Sequence, residues 1–210
     1  MLEVNDNKAI KGGFMKYQSL IRGAVVLGGI AFGSVAWAAT PSASMLANTC
    51  AGCHGTDGVS NGPATPTIAG MSSEYFIESM KAYREGTRPA TIMNRIAKGY
   101  SDEEIKAMAG YFAKQKFVRI QQDSDDKLAK KGKNLHKKYC EKCHEDGGRS
   151  ADDGGILAGQ MMPYLHYSFS DFMDGSRDMP KKMKRQVEKM HEAAGDEGIE
   201  ELVNYYGSQK

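Results

Sequence analysis

The stretch Cys50-Ala51-Gly52-Cys53-His54 recurs 90 residues later as Cys140-Glu141-Lys142-Cys143-His144, and these two pentapeptides contain all four cysteines of the chain. Other landmarks repeat at offsets of 89 to 94 residues. They are Gly70 and Gly159, Gly86-Thr87-Arg88 and Gly175-Ser176-Arg177, Met93 and Met183, and Tyr111-Phe112 and Tyr205-Tyr206. An offset that is nearly constant along the chain indicates two copies of one structural unit.

A Cys-x-x-Cys pair followed at once by His is typical of covalent haem c attachment. Both thiols form thioethers with the porphyrin and the adjacent imidazole binds the iron, so the three groups must lie on one helical turn. Two copies in register with a repeat favour this interpretation over a disulfide exchanger or a zinc site. The sequence therefore predicts two covalently bound haem c groups. Their expected attachment residues are Cys50, Cys53 and His54, and Cys140, Cys143 and His144.

Helical periodicity predominates in both copies. Ser101-Asp102-Glu103-Glu104 is a capping box that predicts a helix start, and Gly195-Asp196-Glu197-Gly198 is expected to open the matching helix. Residues 126–142 carry an apolar stripe with Gly132 beside it, which predicts a helix packed closely on another. We therefore expect an all-α fold of two tandem domains. The expected divisions are a first domain over residues 39–118, a linker over 119–127 and a second domain over 128–210.

Residues 1–38 have the features of a secretory signal peptide. Four basic residues, Lys8, Lys11, Lys16 and Arg22, precede an apolar run that ends in the small-x-small pattern Ala36-Trp37-Ala38. The apolar run is shorter than the ~20 residues that a membrane span needs, although a retained membrane anchor is the alternative. The sequence predicts export to the periplasm, cleavage after Ala38 and no stable membrane span afterwards.

The composition excludes several classes of protein. The chain has 28 Lys and Arg residues and 26 Asp and Glu residues, so its charge is nearly balanced. No large basic field therefore favours binding to nucleic acid, and no acidic excess favours disorder. A mean hydropathy of −0.52 excludes a polytopic membrane protein. No Gly-x-Gly-x-x-Gly motif follows a strand, so FAD is expected only on another chain.

Methionine is the expected sixth ligand of each iron, because a thioether raises the reduction potential and suits an electron carrier. Met93 and Met183 are the candidates since they occupy equivalent places in the repeat, beyond Gly-x-Arg. Most of the 13 methionines must be core residues. Met179 and Met190 are alternatives to Met183, but the repeat offset favours Met183.

The remaining histidines have other expected roles. His136, one turn before Cys140, is expected to be a solvated helix residue. His166 is expected to pack or bond locally, with ligation of the second iron by histidine as the alternative.

Three further positions are expected to contact the haem ligands or the haem edges. Pro66 is the expected backbone acceptor for the His54 imidazole, whereas the second copy has Gly155 there. Arg88 and Arg177 are expected either to pair with propionates or to be plain surface residues.

These residues resemble two-haem c-type cytochromes built from two class I domains, and more closely the cytochrome subunits of flavocytochrome c sulfide dehydrogenases. The resemblance rests on six segments. They are Cys50–His54 with Gly55-Thr56-Asp57-Gly58, Gly62-Pro63-Ala64-Thr65-Pro66, Thr91-Ile92-Met93, Ala97-Lys98-Gly99-Tyr100-Ser101, Gly154-Gly155-Ile156-Leu157-Ala158-Gly159-Gln160, and Met179-Pro180-Lys181-Lys182-Met183. It implies two tandem class I cytochrome c-like domains, each wrapped around a covalent haem c, with Met93 and Met183 as distal iron ligands.

The resemblance also implies a function. The chain would form a periplasmic heterodimer with an FAD-binding sulfide dehydrogenase flavoprotein, and would pass electrons from the flavin to a soluble acceptor during sulfide oxidation. On its own it would not be an enzyme, because no cysteine is left to attack sulfur. The alternatives are a free periplasmic dihaem carrier serving a terminal oxidase or another dehydrogenase, and a peroxidase-like enzyme with an open haem.

Overall fold

The computed structural model describes residues 41–150 and 154–210, so the expected signal peptide lies outside the described residues. Within these ranges the chain is helical and has no strands, which confirms the predicted all-α class. The helices are α1 (Ala43–Asn48), α2 (Ala51–His54), α3 (Ser73–Glu85), α4 (Met93–Ile96), α5 (Asp102–Phe112), α6 (Asp126–Leu135), α7 (Met162–Met173) and α8 (Lys181–Gly207). None of the helices that the structure describes is both long and apolar enough to cross a membrane.

Shorter helical turns lie between these helices. Two 3-10 turns, Thr56–Gly58 and Ala97–Gly99, follow α2 and α4. A π-helical turn, His136–Cys140, continues α6 directly into the second Cys-x-x-Cys-His motif. Glu145–Gly148 forms a further tight turn after that motif.

Serine residues begin the longer helices of the first half. Ser72 accepts a hydrogen bond from the Tyr75 amide at the start of α3. The predicted capping box is confirmed, because Ser101 Oγ accepts from the Glu104 amide while the Glu104 carboxylate accepts from the Ser101 amide. These bonds satisfy amide groups that have no partner within the helix.

Close packing between α6 and α8 organises the second half. A Cβ atom on Gly132 of α6 would overlap the backbone carbonyl of Glu201 in α8, which confirms the predicted close contact at this glycine. The helix α8 is interrupted at Gly195, whose φ of 59° and ψ of −156° are not helical. The segment after this break corresponds to the helix that was predicted to open at Gly195.

Two hydrophobic cores lie within one compact unit, Pro41–Lys210. The first-half core contains buried side chains from α1, α3 and α5, and the second-half core contains buried side chains from α7 and α8. The largest members of the first are Phe76, Met80, Ile105, Met108 and Phe112. Those of the second are Leu165, Met190, Leu202, Tyr205 and Tyr206.

The segment expected to be a linker is fastened to the second half. Arg119 Nε donates a hydrogen bond to the Ala158 carbonyl at 3.1 Å, and Gln122 Nε2 donates to the Gln160 carbonyl at 2.9 Å. Gln122 Oε1 also accepts a hydrogen bond from the Met162 amide at 2.8 Å. Residues 119–122 are therefore held by specific backbone contacts.

Candidate haem sites

The first Cys-x-x-Cys-His motif forms a single helical turn. The Cys53 and His54 amides both donate to the Cys50 carbonyl, at 3.2 and 2.9 Å. Cys50 packs against the first-half core, Cys53 is exposed and His54 is buried. Burial raises the pKa of the Cys50 thiol. The turn brings the three expected attachment groups together.

The imidazole of His54 is oriented by a backbone carbonyl. His54 Nδ1 lies 2.8 Å from the Pro66 carbonyl oxygen and donates a proton to it, which confirms the acceptor predicted from sequence. Burial lowers the pKa of His54, and the bond to Pro66 opposes part of that shift. The neutral ring with its proton on Nδ1 leaves Nε2 unprotonated, which is the form that binds a metal.

Met93 is the first residue of α4 and packs, half-buried, against the same core that Cys50 contacts. Two neighbouring apolar side chains are exposed, Ile92 at 45% and Ile96 at 37%. The position of Met93 beside the Cys50 core is compatible with a distal ligand, and that role stays a prediction.

A cavity of about 340 Å³ brings together the expected haem-binding residues of the second half. Its walls include Cys140, Cys143, His144 and Met183. Met190 also lines it, whereas Met179 does not belong to its lining. Burial raises the pKa of the Cys140 thiol to about 11. A largely apolar cavity with two thiols, an imidazole and a thioether in its walls fits a covalently attached haem c, which these residues would hold.

His144 differs from His54 in its hydrogen bonding. Its Nδ1 atom is buried and has no hydrogen-bond partner among the described residues. Burial and the nearby His136 lower the pKa of His144. The Gly155 carbonyl opposes part of that lowering of the pKa. It does not form a hydrogen bond of ordinary geometry with His144 Nδ1. Among the described residues, His144 therefore has the Gly155 carbonyl nearby but no hydrogen bond with the geometry of the bond between His54 and Pro66.

Two arginines lie where the halves meet beside this cavity. Arg88 is 6% exposed and donates to Ser79 Oγ at 2.8 Å and to Tyr164 OH at 2.7 Å, so the alternative of a plain surface residue is wrong for Arg88. Arg177 donates to Tyr75 OH at 3.0 Å. Both arginines line the cavity, and their pairing with propionates stays a prediction.

Tyr164 has an unusual environment between these arginines. Burial raises its pKa, but the charges of Arg88 and Arg177 outweigh this and lower the pKa of Tyr164 to about 8.

The prediction that His136 is solvated was wrong. The side chain is 1% exposed, with Nδ1 2.9 Å from Tyr206 OH and Nε2 2.6 Å from Glu141 Oε2. Burial lowers the pKa of His136 more than the Glu141 carboxylate raises it. The burial of His136 could have been predicted from its spacing. His136 lies four residues after Gly132 and therefore on the same stripe, which packs on α8.

His166 was expected to pack or bond locally, and the structure places it against a carboxylate of α8. Its Nε2 atom lies 3.3 Å from the Glu200 carboxylate.

Comparison with known proteins defines the class to which this fold and these motifs belong. Residues 39–116 match the family model described as Cytochrome c. Cytochrome c4 of Pseudomonas aeruginosa is 30% identical over 141 residues, which cover 62% of this chain and 69% of that protein. The crystal structure of reduced cytochrome c4 from Pseudomonas stutzeri superposes with a TM-score of 0.69 at 25% identity, covering 81% of this chain and 100% of that chain.

A second relative is similar over a shorter stretch of the chain. The cytochrome subunit of sulfide dehydrogenase from Chlorobaculum tepidum is 47% identical over 68 residues, which cover 32% of this chain and 61% of that protein. The chain belongs to the class I cytochrome c family. It is a dihaem cytochrome c that transfers electrons.

Proposed function

We propose that this chain is the electron-transfer subunit of a periplasmic sulfide dehydrogenase. It accepts electrons from a flavoprotein subunit that carries FAD, and it passes them to a soluble acceptor. The observation that carries the proposal is the 47% identity, over 68 residues, between this chain and a cytochrome subunit of sulfide dehydrogenase. Residues 1–38 direct export and are removed after Ala38.

The residues of this chain bind the two haems. Cys50 and Cys53 would hold the first haem through thioethers, and Cys140 and Cys143 would hold the second in the same way. His54 and Met93 would hold the iron of the first haem, and His144 and Met183 that of the second. When bound, each haem exchanges one electron at a time.

Because all four cysteines serve in attachment, the chain keeps no thiol for sulfur chemistry. Sulfide oxidation therefore belongs to the partner subunit. The two domains of the proposal extend over residues 39–118 and 128–210.

A free dihaem carrier is the second candidate. The relatives named cytochrome c4 match across both halves, and a relative named thiosulfate dehydrogenase electron acceptor, from Thiomonas intermedia, is 28% identical over 72% of this chain. A carrier of this kind would serve a terminal oxidase or another dehydrogenase without a permanent partner.

Rapid reduction kinetics distinguish the two candidates. The purified holoprotein is mixed with sulfide alone, with sulfide and the flavoprotein subunit from the same host, and with thiosulfate and a thiosulfate dehydrogenase. The proposal expects catalytic haem reduction only in the second mixture, together with co-purification of a flavin-containing subunit from the host. Reduction in the third mixture, with no flavin subunit at any purification stage, would establish the free carrier instead.

A further inference from the structure

A side chain of the second half holds a backbone segment of the first half by two hydrogen bonds. Gln160 Oε1 accepts from the Thr67 amide at 2.9 Å, and Gln160 Nε2 donates to the Thr67 carbonyl at 2.9 Å. Both residues are buried, with 3% of Gln160 and 1% of Thr67 exposed. Gln160 is fixed in turn, because its Oε1 also accepts from the Met161 amide and its carbonyl accepts from Gln122.

The peptide group between Pro66 and Thr67 forms hydrogen bonds with both Gln160 and His54, the expected iron ligand of the first half. The carbonyl of Pro66 and the amide of Thr67 belong to the same peptide plane. At one end of this plane the Pro66 oxygen accepts the proton of His54 Nδ1 at 2.8 Å. At the other end the Thr67 N–H donates to Gln160. Hydrogen bonds at the two ends of an amide polarise it cooperatively, so the bond to Gln160 makes the Pro66 oxygen a stronger acceptor.

We propose that Gln160 is a positioning residue for the first haem. Through the peptide between Pro66 and Thr67, it fixes the plane of the His54 imidazole and strengthens the hydrogen bond at Nδ1. A stronger bond at this nitrogen raises the basicity of the ligand, and a more basic ligand stabilises the oxidised iron. The inference rests on the proposed attachment of haem c at Cys50, Cys53 and His54.

The second half supplies an internal comparison. At the repeat offset of 89 residues, the residue equivalent to Gln160 is Met71. A thioether is a weak acceptor and has no proton to donate, so it cannot replace the amide. His144, the equivalent of His54, has no hydrogen-bond partner at Nδ1 among the described residues. The histidine hydrogen bond is therefore found at His54, whose acceptor peptide is held by Gln160, and has no counterpart of ordinary geometry at His144.

Two substitutions of Gln160 in the holoprotein test this role. Gln160→Met keeps the length of the side chain and removes both hydrogen bonds. Gln160→Glu, at a pH where the buried carboxyl is protonated, presents a carbonyl and a hydroxyl that reproduce both bonds. The readouts are the reduction potential of each haem and the exchange rate of the His54 Nδ1 proton, measured by NMR.

In Gln160→Met we expect the ratio of reduced to oxidised first haem at a given potential to rise about threefold. This corresponds to an increase of ~30 mV in the reduction potential of a one-electron couple. Exchange of the His54 Nδ1 proton accelerates by about tenfold, because the bond that protects it opens more often. The second haem, whose cavity Gln160 also lines, is expected to shift less than the first, and protonated Gln160→Glu restores both first-half values.

A second variant separates this role from a general loosening between the halves. Tyr75→Phe removes the bond that Arg177 makes across the halves but leaves Gln160, Thr67 and Pro66 untouched. It is expected to leave both His54 readouts at their wild-type values. Unchanged His54 readouts in Gln160→Met, or equal shifts in both variants, would overturn the positioning role in a fully loaded protein. A purified protein with no haem on Cys50 and Cys53 would overturn the proposed attachment itself.

Discussion

Gly132 of α6 faces the backbone carbonyl of Glu201 on α8 so closely that a methyl group on residue 132 would overlap that carbonyl. The contact joins two rigid helical backbones, so neither partner can turn aside as a flexible side chain would. Lys131 adds ion pairs to Glu197 and Glu201 across the same pair of helices, at 2.9 and 3.0 Å. The approach of α6 to α8 therefore depends on the absence of a side chain at one position.

Gly132→Ala is expected to destabilise the protein by a net ~1 kcal/mol. Overpacking costs ~1–3 kcal/mol, and this exceeds the ~1 kcal/mol that alanine gains over glycine in a helix. Gly110→Ala in α5 is the matched control, because a Cβ atom there meets no atom within 4 Å. It is expected to stabilise by up to ~1 kcal/mol. Denaturant unfolding of the two holoproteins measures both values, and a stabilising Gly132→Ala would contradict the close packing.

The buried His136 predicts a loss of stability in mild acid. Its pKa is lowered from 6.5 in the folded protein, so below pH 6.5 the unfolded chain binds a proton that the folded chain does not. Acidification from pH 6.5 downward therefore favours unfolding, by up to ~1.4 kcal/mol per pH unit for one proton. In His136→Gln the free energy of unfolding should depend less on pH in this range.

Tyr206→Phe is the control for this titration. It removes the hydrogen bond to His136 Nδ1 and keeps the imidazole, so the protein should be less stable but should retain the pH dependence. An identical pH profile in wild type and His136→Gln would assign the acid sensitivity to other groups.

Met183 is expected to be the second distal ligand. Replacement by histidine should remove the part of the long-wavelength sulfur-to-iron absorption band that the second haem contributes in the oxidised protein. Met179→Leu, four residues earlier and outside the cavity lining, should leave the band intact. The opposite pattern would make Met179 the ligand. The same absorption measurement on Met93→His tests the distal ligand of the first haem.

The chain without attached haem is expected to be largely unfolded. Each half is near the size at which a single apolar core is marginal, below ~70–80 residues. Alanine at Cys50, Cys53, Cys140 and Cys143 should therefore abolish most helical circular dichroism. A control with alanine only at Cys140 and Cys143 should retain one haem and the helices of the first half. A sharp cooperative melt of the fourfold variant would contradict this dependence.

The local features were predictable because their signals are contained in short segments. The capping box at Ser101 needs only residues three apart, and the Pro66 acceptor lies twelve residues from His54. The close helix contact at Gly132 was predictable from the apolar stripe beside it. Such features depend on spacing along one helix or one loop.

The remaining features depend on partners distant in sequence. His136 is buried because Tyr206, 70 residues later, covers it, and the position of His136 one turn before Cys140 does not reveal that partner. Gln160 and Thr67 are 93 residues apart, and no periodicity connects a glutamine side chain with a backbone amide in the other copy. A comparison of the copies shows only that the glutamine is absent from the first.

The anchoring of Arg119 and Gln122 limits how this protein can be recombined with its relatives. A chimera joined near residue 118 keeps both side chains beside Ala158, Gln160 and Met162, and so keeps their bonds. A chimera joined just before α6 would import a foreign connector and leave those backbone groups without their partners. Residues 119–125 should therefore be kept together with the second half. A chimera of two relatives is best joined before residue 119.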